Sequence, residues 1–65
     1  MSLHDYLGSQ ALERSDHSFR GLIMAAMRKA DIDNLALLRR AWPEVWAEMQ
    51  ARYDAPGGIL PGEPQ

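Results

Sequence analysis

The stretch "HSFRGLIMAAMRKA", residues 17–30, decides the fold. Phe19, Leu22, Ile23, Ala26, Met27 and Ala30 recur at i, i+3, i+4, i+7, i+8 and i+11, which is one face of an α-helix. Arg28 and Lys29 fall in the last turn, where cations suit the carbonyl end of the helix dipole. Ser15 and Asp16 stand ahead of the run as N-cap candidates. The spacing predicts a helix over about 16–30.

Downstream, "DIDN" at 31–34 offers side chains that cap a new helix or close a tight turn. A second helix is expected over about 33–41. Leu35, Leu38 and Trp42 share one side of it, while Leu37 and Ala41 widen the apolar arc. So broad an arc predicts cover from two directions and a central position, either between its two neighbours or against another copy of the chain. Trp42-Pro43 then ends one helix and begins another. Proline disfavours helical geometry in the residue before it and suits the first helical position. Val45, Trp46, Met49 and Tyr53 continue the steps of three and four, giving a third helix over about 43–54.

Upstream, "SLHDYLG" at 2–8 fits one short amphipathic turn with Leu3, Tyr6 and Leu7 inward, and Gly8 is expected to stop it, with a helical extension through "SQALER" at 9–14 as the alternative. At the other end, Arg52 is a last-turn cation and Pro56 cannot continue a helix without losing a hydrogen bond. Pro56-Gly57 signals a type II turn, in which Gly supplies a positive φ. "RYDAPGG" therefore reads first as a helix stop. Ile59 and Leu60 would be wasted in a solvated terminus. The favoured reading folds them back onto the helices; the other docks them on a partner as an extended segment. "PGEPQ" at 61–65 is expected to be disordered.

The expected architecture is thus all-α: a compact bundle of three main helices in a single domain, residues 1–58, with a short N-terminal helix as a fourth element. Residues 59–65 form an extended, partly disordered tail. Sixty-five residues lie near the lower limit for a chain that folds alone. A core of that size rarely supplies more than about 3–5 kcal/mol. With no cysteine, disulfides and thiolate metal sites are excluded, leaving tight helix packing or oligomerisation.

Seven basic and nine acidic residues give a net charge of -2, neither the basic footprint of a nucleic-acid binder nor a strongly acidic mimic. No apolar run approaches the roughly 20 residues of a membrane span. "MSLHDYLGSQ" lacks the basic and apolar regions of a secretory signal. These features predict a cytoplasmic protein without membrane association.

The catalytic inventory is thin. His4 and His17 lack the i, i+4 spacing that puts two ligands on one helix face. Ser9, Ser15 and Ser18 lie in cap-rich surroundings. Asp31, Asp33 and Asn34 resemble the start of a calcium loop but lack its glycine and distant bidentate Glu. The expectation is no enzyme, no metal and no cofactor. Binding features are richer. Met24 lies off the main stripe, and Gly21 with Ala25 forms a small-residue step that permits close approach of a second helix. A homodimer through this face would relieve a marginal core. Arg39 and Arg40, with Arg28 and Lys29, carry the alternative of a helix-turn-helix regulator reading DNA, although the acidic "DIDN" turn would repel phosphates. The candidate partner-binding residues are Gly21, Met24, Arg39, Arg40, Ile59 and Leu60.

Residues 22–58 carry a wider pattern: M-A-A-M-R-x-A-D at Met24–Asp31, N-x-x-x-L-R at Asn34–Arg39, Pro43-Glu44, and A-R-Y-x-A-P-G-G at Ala51–Gly58. This pattern resembles small proteins encoded by bacteriophages and prophages. The resemblance implies a bacterial cytoplasm as the setting and transfers no residue role. It fits an accessory protein that binds itself or a host protein, inhibiting or modulating a host complex by stoichiometric contact.

Overall fold

The structure is a computed structural model that describes residues 2–64. Four α-helices and one 3-10 turn follow in order: α1 (Leu3–Glu13), α2 (Phe19–Lys29), α3 (Ile32–Ala41), α4 (Pro43–Asp54) and the turn Pro56–Gly58. The described residues are helical without a strand, as the periodicity predicts.

The N-terminal element differs from its expected form. It is a three-turn helix that runs straight through Gly8. A capping box starts it: the Asp5 N–H donates to Ser2 Oγ at 3.1 Å, and the Ser2 N–H donates to the Asp5 carboxylate at 3.2 Å. An interior glycine costs about 1 kcal/mol relative to alanine, which a good cap of about 1 kcal/mol offsets. Ser15 closes this helix rather than opening the next, its hydroxyl donating to the Leu12 carbonyl at 2.6 Å. The N-cap of α2 is Ser18, which accepts from the Gly21 N–H at 3.0 Å. That moves the start of the helix from the expected residue 16 to Phe19.

Asp31 caps α3 by accepting from the Asn34 N–H at 2.8 Å. Trp42 serves two helices: its N–H donates to the Leu38 carbonyl at 2.8 Å, and its own carbonyl accepts from Trp46 N–H at 3.2 Å. Pro43 occupies the first position of α4, where its missing N–H is no loss.

The core joins α2 to α4. Ile23, Met27 and Val45 are the buried apolar residues, and Met24, Leu35, Leu38, Trp46 and Met49 pack around them half-buried. Helix α3 packs on both α2 and α4, as its broad arc predicts, but it is not enclosed between them: it buries no residue and leaves Leu37 63% exposed. Because α2 and α4 also pack directly on each other, the three helices form a triangle, and the outer side of α3, with Ile32 and Leu37, stays exposed. The buried line of α2 is also rotated, running through Ile23, Met27 and Met24 while Phe19 and Ala26 stay exposed.

Helix α1 packs its backbone against none of the others. Its expected inward residues, Leu3, Tyr6 and Leu7, are 71%, 61% and 53% exposed. The molecule is consequently long, 42 × 27 × 16 Å, with a radius of gyration of 13.8 Å. A compact chain of this length would measure about 11 Å.

Candidate interaction surface

At the C-terminus, Gly57 takes φ 64°, as the second central position of a type II turn requires, and the Gly58 N–H donates to the Ala55 carbonyl at 3.0 Å. The turn sends the chain back along α4. Ile59 and Leu60 become half-buried and line a groove of about 500 Å3 with Ala51, Asp54, Ala55 and Pro56. Arg52 holds the segment. Its Nε donates to Glu48 at 3.1 Å, Nη1 to the Gly58 carbonyl at 2.7 Å, and Nη1 and Nη2 to the two carboxylate oxygens of Glu63 at 2.8 and 2.7 Å. Glu63, in the stretch expected to be disordered, also accepts from the Leu60 N–H at 2.9 Å. The Arg52 bonds, followed by that backbone bond, hold the Glu63 carboxyl down at about 2. Arg52 is pushed above its ordinary range, chiefly by Glu63 and then by Glu48. Gln65 lies outside the described residues.

The remaining candidates scatter. Met24 is half-buried against the core, because the buried line of α2 is rotated toward it. Gly21 is exposed, but a Cβ there would meet Ser18 Oγ at 3.2 Å. Its small size therefore accommodates the helix's own cap. The Arg39 guanidinium lies 5.1 Å from the centre of the Trp46 ring, a cation–π contact that shields a core aromatic. Arg40 is exposed. The structure thus places Ile59 and Leu60 side by side and does not gather Gly21, Met24, Arg39 and Arg40 into one site with them.

Two features escaped the sequence reading. Phe19 and Trp42 meet edge to face, centroids 6.1 Å apart, at a groove of about 430 Å3 flanked by Arg20 and Glu44. The pair was hidden because Trp42 was assigned to the helix steps around it, whereas its position between helices turns it toward the start of α2. The second is a cleft of about 520 Å3 between α1 and α2. Ser9, Leu12 and Glu13 form one wall; Leu22, Ala25, Ala26 and Lys29 form the other.

His4 and His17 are exposed. Among the described residues, no three His, Asp or Glu side chains gather to hold a metal ion, and no helix is long and apolar enough to cross a membrane.

Neither a family model, nor a curated protein, nor a solved structure matches this chain.

Proposed function

We propose that this is a non-catalytic protein that works by binding another protein through exposed apolar helix faces. The observation that carries the reading is an imbalance. Among the described residues, three apolar side chains are buried, whereas nine large ones are exposed, including Leu37, Ile32, Phe19 and Tyr53. Apolar surface on this scale relative to the core marks interaction sites. Stoichiometric binding of this kind needs no catalytic group, metal or cofactor.

The phage-type pattern in Met24–Gly58 supplies the setting: an accessory protein in a bacterial cytoplasm that modulates a host complex. The DNA-binding alternative has less support. The outward positions of α3 mix Arg40 with Ile32, Asp33 and Leu37, and α4 opens on Glu44, so neither helix offers phosphates a uniformly basic face. Arg39, which that reading needs, is stacked on Trp46.

The test is a photo-crosslinking amino acid placed at Leu37 in bacterial cells that express the chain. Ultraviolet light is expected to yield an adduct with protein. Adducts with nucleic acid would overturn the reading and favour the regulator.

A further inference from the structure

We propose that residues 59–63 form a strap that opens and shuts as one piece over the end of α4. Pro56–Gly58 is its hinge, and the Arg52–Glu63 pair is its latch. Shut, the strap shields Ile59 and Leu60 from other molecules; open, it adds them to the exposed apolar set.

The strap is more than the stop of a helix, which needs only the first Pro-Gly turn. Leu60, Pro61, Gly62 and Glu63 make a second one: the Glu63 N–H donates to the Leu60 carbonyl at 3.1 Å, and Gly62 takes φ 88°. The Glu63 carboxylate reinforces this turn by accepting from the Leu60 N–H at 2.9 Å. Both bonds lie inside the strap. They persist when it swings, and they keep Glu63 aimed for its return.

The ties from strap to helix are thinner. Among the described residues, no backbone hydrogen bond joins 59–63 to α4, and the Ile59 N–H donates only as far as the Pro56 carbonyl in the hinge. The polar ties across the gap are those from Arg52 to the two Glu63 oxygens, at 2.8 and 2.7 Å. The third acceptor of the Arg52 guanidinium edge, the Gly58 carbonyl, belongs to the hinge. The apolar ties are Ile59 and Leu60, each only half-buried. Opening does not strand a charge, because Glu48, one turn earlier on α4, still accepts from Arg52 Nε at 3.1 Å. Gly57 and Gly58, at φ 64° and 72°, let the hinge change direction at little steric cost. The helices are held elsewhere. Ile23, Met27 and Val45 form the core, and none of them lines the groove under the strap. A segment with so few buried contacts opens at lower free energy than the core it leaves behind.

Thiol accessibility tests this on the whole chain, which has no cysteine of its own. Leu60→Cys places a thiol on the strap. Ala55→Cys places one in the groove beside it and leaves Ile59 and Leu60 intact. The probe is dithiodipyridine, an uncharged disulfide, and each rate is divided by that of the same variant unfolded in urea. Adding Glu63→Gln should speed both thiols at least about threefold, within the range of a lost surface ion pair. Adding Gly62→Ala should speed them too, since alanine is strained at that positive φ. Glu44→Gln makes the same charge change at the first turn of α4 and should leave both rates alone. Val45→Cys reports opening of the core and should react at one low rate in every background.

Equal rates at positions 55 and 60 with and without Glu63→Gln would overturn the latch. A thiol at position 45 that accelerates in step with the one at position 60 would overturn the separate strap, because opening would then be unfolding of the domain. The device needs no particular partner: nucleic acid crosslinked from Leu37 would sink the protein-binding reading and leave the strap standing.

Discussion

Arg52 commits its guanidinium to three acceptors: the Glu48 and Glu63 carboxylates and the Gly58 carbonyl. Its position in the last turn of α4 was legible, but its partners were not. Glu63 lies eleven residues away, across a turn whose direction depends on the positive φ of Gly57 and Gly58. The linkage has a definite sign. The folded Glu63 carboxyl titrates at about 2 rather than its ordinary 4.5, so its contribution is complete above 4.5 and is lost as pH falls toward 2. Methyl NMR signals of Ile59 and Leu60 should therefore move toward random-coil positions over that interval. In Glu63→Gln they should be displaced already at neutral pH. The carboxylate is exposed and the guanidinium only half-buried, so added salt should weaken the clamp. Inside the molecule the stakes at one residue are higher. Met27 is 3% exposed, and truncating such a methionine costs about 2–5 kcal/mol. A core this size supplies about 3–5 kcal/mol. Met27→Ala should unfold much of the population at 25 °C, as read by urea titration of far-ultraviolet circular dichroism.

At the scale of elements, the helices were legible wherever the local chemistry was sufficient. Apolar steps located α2 and α4, and Trp42-Pro43 located the bend between α3 and α4. Orientation was not legible. Periodicity shows that Leu3, Tyr6 and Leu7 share a face, but not whether any element of the same chain lies against it. The same gap placed α3 at the centre: its broad apolar arc is real, yet direct contact between α2 and α4 leaves half of it outside. Gly8 was assigned the role of a stop because the reciprocal Ser2–Asp5 cap was not weighed against it. A Cβ at Gly8 would meet nothing within 4 Å. Gly8→Ala should therefore stabilise α1 by up to about 1 kcal/mol, seen as deeper ellipticity at 222 nm and a higher Tm.

The whole molecule exposes more than it hides, and that sets how its stability should respond to concentration. If copies associate through these exposed apolar faces, folding is linked to association, and Tm should climb as chain concentration rises. Scanning calorimetry over a hundredfold range of concentration checks this; a constant Tm would indicate a monomer stable by itself. The candidate site was the least legible part. Composition and periodicity identified surplus apolar residues, but Gly21, Met24 and Arg39 turned out to serve the chain's own cap, core and tryptophan. The surplus lies instead on α1, on the outer side of α3 and at the Phe19–Trp42 pair. Which surplus residues remain outside depends on how four short helices are joined, and here a single joint matters most. Trp42 is shared by α3 and α4, so no slack separates them. Like a keyed shaft, the joint fixes the phase of one helix against the next. One residue gained or lost there would turn α4 by about 100° and carry Val45 away from Met27. Length variation should be tolerated between α1 and α2, where Arg14–Ser18 can stretch, and forbidden at Trp42.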